Sequence, residues 1–126
     1  MTKTELKQNI TKINKLLRSD SYEAGIELIK TLDDPEITKG VLNSVKSKVM
    51  KFLKQRDYNA IDKGIELVRT LNKSMIFESL LEGCSIDVNG KIIKNKAFTG
   101  TSPAQPYLDI ALLGLIRSAP NISKID

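Results

Sequence analysis

Gly25-Ile26-Glu27-Leu28-Ile29-Lys30-Thr31-Leu32 and Gly64-Ile65-Glu66-Leu67-Val68-Arg69-Thr70-Leu71 are nearly the same peptide written twice, 39 residues apart. In that register six of the eleven residues from Tyr22 to Leu32 are identical to their counterparts at Ile61 to Leu71. Glu23/Asp62, Ile29/Val68 and Lys30/Arg69 are conservative exchanges. The preceding segments match as well, Lys12-Ile13-Asn14-Lys15-Leu16-Leu17 against Lys48-Val49-Met50-Lys51-Phe52-Leu53, at a spacing of 36, so the second copy has gained three residues in between. A unit recurring every 20–50 residues or so marks a repeat architecture, in which each supersecondary unit buries its apolar face against the next. Here the unit reads as a helical hairpin. At about 100° per residue, Ala60, Ile61, Gly64, Ile65, Leu67, Val68 and Leu71 fall on one side of a helix, while Asp62, Lys63, Glu66, Arg69 and Thr70 fall on the other.

The helices on either side carry their own punctuation. Thr2 and Glu5 have capping-box spacing at the head of a helix from about Lys3 to Arg18, where Leu6, Ile10, Ile13, Leu16 and Leu17 recur at helical intervals. Ser19-Asp20-Ser21 forms a turn in which any of the three residues is able to cap the helix Tyr22 to Leu32. Asp34-Pro35 reads as an N-cap followed by proline at the first helical position, starting a third helix that runs to about Lys54. Asp57 caps a fourth helix, Tyr58 to Leu71, and Ser74 a short fifth one that stops at Gly83. Gly25 and Gly64 lie inside helices, where glycine costs about 1 kcal/mol relative to alanine, so close approach of a neighbouring helix at the repeat interface is expected to compensate.

After Gly83 the pattern changes. Asn89-Gly90 between β-branched residues predicts a small β-hairpin within Ser85–Ile93. Asn95 to Pro106 reads as a loop, and Tyr107 to Ser118 as a helix with little polar face, expected to be covered on most sides either by the rest of the domain or by something docking on it. Within the loop, Ser102 and Gln105 fit a capping box around Pro103, and the hydroxyl-rich run Thr99 to Gln105 also suits a small anion.

The 126 residues are 40% apolar and 28% charged, with a mean hydropathy of -0.20, ordinary values for a chain that folds on its own. The expected organisation is one domain over residues 1–126: helical repeats at about 3–83, hairpin and loop at about 84–105, last helix at about 107–118, and a tail at 119–126. Ten opening residues without an apolar run and a single cysteine, Cys84, favour a cytoplasmic home. Ile110-Ala111-Leu112-Leu113 and its continuation past Gly114 fall well short of the roughly 20 residues that cross a bilayer.

Histidine is absent, which removes the commonest general base and the usual metal ligand. With one cysteine, no zinc cluster is expected, and Cys84 reads as a small buried hydrophobe. The seven glycines are dispersed, so no phosphate loop or dinucleotide fingerprint can be assembled. No catalytic residue, cofactor or metal site is therefore assigned. Net charge is +5, and residues 1–60 hold twelve basic against eight acidic groups. Lys39, Lys46, Lys48, Lys51, Lys54 and Arg56 form a run without an acid between Thr38 and Arg56, the candidate nucleic-acid-binding residues. A solvated lysine-rich face is the favoured account of them, because lysine commonly fills exposed helix positions and Phe52 is the one aromatic in that stretch. On a wheel Lys48, Lys51 and Lys54 share one side while the others point elsewhere.

The two copies of Gly-Ile-Glu-Leu-(Ile/Val)-(Lys/Arg)-Thr-Leu, each behind a matching helical segment, resemble HEAT or armadillo-type α-helical repeats over about Lys12 to Gly83. That resemblance implies paired helices stacked into a scaffold for protein partners. Two units are fewer than the three or so that a solenoid normally needs, and the hairpin with its apolar last helix is no regular unit. The expectation is thus a mainly α fold: two stacked helical-hairpin repeats, HEAT-like, with a small β-hairpin and a C-terminal apolar helix. Its expected role is non-catalytic, an interaction or adaptor module. Tyr107, Leu108, Leu112, Leu115 and Ile116 are the candidate docking residues for a protein partner or a second copy, and nucleic acid is the alternative partner.

Overall fold

Local capping chemistry sets where three of the six helices begin. In the computed structural model, which describes residues 1–99 and 105–119, Thr2 Oγ1 accepts from the Glu5 N–H at 3.1 Å while the Glu5 carboxylate accepts from the Thr2 N–H, completing the capping box of α1 (Lys3–Leu17). The turn after α1 departs from expectation. Ser21 precedes α2 (Tyr22–Leu32) without a side-chain cap; instead Ser19 Oγ donates to Leu16 O at 2.8 Å and accepts from Ser21 N–H at 3.0 Å, tying the turn to itself. Asp34 Oδ1 accepts from Glu36 and Ile37 N–H at 2.8 and 3.2 Å, with Pro35 as the first residue of α3 (Pro35–Leu53). Asp57 caps α4 (Tyr58–Thr70) through Asn59 N–H at 2.9 Å. Ser74 precedes α5 (Met75–Leu80) but does not cap it with its side chain; Asp33, at the end of α2, reaches across to accept from Met75 N–H at 2.9 Å.

α1 packs along α2, and α3 along α4, as two helical hairpins. The hairpins meet mainly through α1 and α3, and only lightly through α2 and α4. α3 lies at the centre, burying Ile37, Val41, Val45, Val49 and Leu53, a row at four-residue spacing that faces the core. The buried side of α4 is the one that the wheel gives: Ala60, Ile61, Gly64, Ile65, Leu67, Val68 and the following Leu71. Ile26 and Ile65, equivalent in the two copies, are both buried.

The helical glycines do mark close approach, but inside each hairpin rather than between hairpins. A Cβ on Gly25 would stand 3.2 Å from Leu16 Cβ and 3.3 Å from Leu17 Cδ2. A Cβ on Gly64 would stand 3.0 Å from Phe52 Cβ and 2.9 Å from Leu53 Cδ2. Leu16-Leu17 and Phe52-Leu53 are the residues that correspond at the 36-residue spacing, so each glycine admits the same pair of neighbours. A third glycine serves the junction between hairpins: Asn14 Nδ2 donates to Gly40 O at 3.3 Å, beside Ile10.

Beyond α5 the chain forms a two-stranded antiparallel sheet, β1 (Ser85–Ile86) with β2 (Ile92–Ile93), in the register Ser85 with Ile93 and Ile86 with Ile92. The intervening turn is organised by Asp87, whose Oδ1 accepts from Asn89 and Lys91 N–H at 2.9 and 2.8 Å, with Gly90 at φ +80°. The expected loop after β2 contains a 3-10 turn, Lys96–Phe98, that buries Ala97 and Phe98 against α3. Asn95 fixes it in place: Nδ2 donates to Leu80 O and Glu82 O at 2.9 and 2.8 Å, and Oδ1 accepts from Ala97 N–H at 2.9 Å. α6 (Gln105–Arg117) starts two residues earlier than the sequence suggests and lies against α4. The expected cap at Ser102 and the run from Gly100 to Ala104 lie outside the described residues, as does the tail from Pro120. A single cluster of buried apolar side chains takes in residues of all six helices. None of these helices is long and apolar enough to cross a membrane.

Candidate functional site

The structure divides the basic run of α3 and the turn after it. Lys48 and Lys51, one turn apart, line a cleft of about 320 Å³ where α1 ends, together with Arg18, Asn43, Ser44, Ser47 and Leu17. Arg18 was not among the basic residues singled out from sequence, because it belongs to another helix. Lys39, Lys46, Lys54 and Arg56 do not line this cleft. Lys48 is held in place: its Nζ sits 4.7 Å from the centre of the Tyr22 ring and 5.7 Å from that of Phe52, and donates to Ser19 O at 3.4 Å. The two rings meet edge to face at 5.4 Å, so this cation bridges both hairpins at one point. Burial first, and the Glu23 carboxylate second, raise the Tyr22 phenol above its ordinary value.

The docking set on α6 is corrected by burial. Leu108, Leu112, Leu115 and Ile116 are 2%, 0%, 2% and 0% exposed, packed into the chain's own core, so none offers a surface to a partner. Their helix is apolar nearly all round because much of it is covered intramolecularly. Tyr107 remains accessible; its hydroxyl donates to Asp62 Oδ1 and its ring lies edge-on to Tyr58 at 5.4 Å. The Asp62 hydrogen bond, followed by desolvation and the Asp62 charge, raises the Tyr107 phenol, with Arg69 acting against them. The outward apolar side chain of α6 is Ile110, at 73% exposure.

Light contact between α2 and α4 leaves a groove of about 310 Å³ that sequence reading did not identify. Tyr22 lines it above the buried Ile26 and Leu67; Glu23, Glu27 and Glu66 border it, with Lys63 the one cation among the lining residues and Thr70 beside them. Glu66 pairs with Arg69 at 2.8 Å, both ends exposed, whereas Glu27 makes no ion pair with Lys30. The legible signal was the repeat itself: Glu27 and Glu66 occupy the same position in the two copies and both border this groove.

Cys84 is buried as expected, and its Sγ accepts from Asn95 N–H at 3.4 Å. Burial pushes the thiol above its ordinary value, against a lowering by that hydrogen bond. Among the described residues no three carboxylate or thiol groups converge where a metal ion would sit. Compared with known proteins, the chain matches no family model, no curated protein and no solved structure.

Proposed function

We propose that this chain is a non-catalytic protein-recognition module built from two HEAT-like helical hairpins, and that its groove between α2 and α4 receives a basic amphipathic segment of a partner. The observation that carries this reading is the groove's composition. Tyr22 is half-buried there above the buried Ile26 and Leu67, while three carboxylates, one of them paired with Arg69, border the groove against one lining ammonium, on a chain whose net charge is +5. Local charge opposite to that of the whole molecule selects a basic partner and steers its approach, and the Tyr22 ring supplies apolar contact. A helix with leucines on one face and lysines flanking them has the matching chemistry. The single cysteine, unpaired and buried, is compatible with a reducing cytoplasmic setting.

Nucleic-acid binding through the basic run is the alternative, and it has less behind it. Its cations do not gather in one place: Lys48 and Lys51 line the cleft at the end of α1, and Lys39, Lys46, Lys54 and Arg56 do not.

Titration of the isotope-labelled protein with a leucine–lysine amphipathic peptide tests the reading. Saturable amide shifts are expected at Tyr22, Ile26, Leu67 and Thr70, and the exposed double variant Glu23→Lys/Glu27→Lys is expected to weaken binding roughly tenfold or more. Binding that is indifferent to this charge reversal, or equal for a leucine–glutamate peptide, contradicts it.

A further inference from the structure

The cleft where α1 ends shares no lining residue with the groove between α2 and α4. Arg18, Lys48 and Lys51 surround it, no carboxylate lines it, and none of the three cations takes part in an ion pair among the described residues. Two of them are held by the fold. Arg18 Nε donates to Asn14 O at 3.1 Å, which offsets the negative end of α1, and Lys48 is fixed against Tyr22 and Phe52. Convergent cations of one sign repel each other, and an anion among them turns that repulsion into attraction.

The polar side chains between the cations suit such an anion. Asn43, Ser47 and Lys51 follow one another at four-residue spacing on α3, with Ser44 and Lys48 in the adjoining row. Thr31 and Thr70 turn their hydroxyls back onto the carbonyls of Glu27 and Glu66 at 2.9 and 2.8 Å. Ser44 and Ser47 make no hydrogen bond of that kind, so both hydroxyls remain available as donors.

The geometry points to a binding site for the phosphoryl group of a small molecule, inorganic phosphate, pyrophosphate or a phosphate monoester. Three cations, two hydroxyls and a carboxamide provide donors for a tetrahedral oxyanion carrying a charge of about −1.5 to −2 at neutral pH. A carboxylate, with one charge and two oxygens, satisfies fewer of them. A nucleic-acid backbone asks for a continuing track of cations, and Lys39, Lys46, Lys54 and Arg56 lie outside the lining.

The test is titration at low salt of inorganic phosphate, pyrophosphate, a simple sugar phosphate and a thymidine oligonucleotide into the labelled full chain. Saturable shifts confined to Arg18, Asn43, Ser44, Ser47, Lys48 and Lys51 are expected with one of the small phosphates. Lys51→Gln and Ser47→Ala alter exposed positions and leave the melting curve in place; the double variant is expected to weaken binding roughly tenfold, with Lys54→Gln as the unaffected control. Which small phosphate binds most tightly identifies whether a free anion or an ester is the preferred source. Absence of saturation with every small phosphate, an unchanged affinity in the double variant, or oligonucleotide binding weakened as much by Lys54→Gln as by Lys51→Gln overturns the site.

Discussion

At Gly64 the nearest neighbours of an added methyl would be Leu53 Cδ2 at 2.9 Å and Phe52 Cβ at 3.0 Å, and the second of these is anchored to backbone. At Gly25 the corresponding distances begin at 3.2 Å, while at Gly114 in α6 no atom stands within 4 Å. Alanine gains about 1 kcal/mol of helix propensity over glycine at every such position, and overpacking costs roughly 1–3 kcal/mol where neighbours cannot yield. Gly64→Ala is therefore expected to destabilise by about 1 kcal/mol, Gly25→Ala to fall between, and Gly114→Ala to stabilise by up to about 1 kcal/mol. Urea melts of the three variants check the order. The sequence makes the first two glycines conspicuous because they recur, yet spacing alone does not reveal that they face the partner helix of their own hairpin. Asn95 was not legible at all: its carbonyl and amide reach Ala97, Leu80 and Glu82, and two of those three partners stand on the far side of the β-hairpin.

At the scale of elements, starts were readable wherever the cap is a near neighbour. Thr2, Asp34 and Asp57 each bond to N–H groups two or three residues ahead, so the pattern is written locally. The start of α5 shows the opposite case. Ser74 has the right residue type, but the oxygen that bonds Met75 N–H belongs to Asp33, 42 residues earlier and itself at φ 38°. Asp33→Ala is expected to cost about 1 kcal/mol through the lost cap, and Asp33→Asn, which tolerates the left-handed region and keeps an acceptor, to cost much less; Ser74→Ala, which removes no cap bond, is expected to be nearly silent. Thermal unfolding of the three variants separates these outcomes. α6 was legible as an apolar helix that must be covered, but whether by its own domain or by a partner was not. An apolar periphery says that a helix is covered, while only the packing of α4 beneath it says by what.

At the scale of the whole molecule, the fold rests on two hairpins lying side by side through α1 and α3, an arrangement that leaves α2 and α4 apart and so creates the acidic groove. The two similar peptides made the hairpins readable. Their mutual contact was not, because most of the residues that join them differ between the two copies: Asn14, which bonds Gly40, matches Met50, and Tyr22 and Phe52, which flank Lys48, match Ile61 and Leu16. Basic residues were visible as a run along the chain, whereas the cleft takes Arg18 from α1 and only two members of that run. Nuclear Overhauser contacts across the junction test the stacking most directly. The Tyr22 and Phe52 rings, 5.4 Å apart, and an Ile10 methyl with the Gly40 α-protons are predicted to give cross-peaks beside those within each hairpin, from Leu16 to Gly25 and from Phe52 to Gly64. Cross-peaks within the hairpins alone, with none between them, would contradict the stacked arrangement and the groove that depends on it.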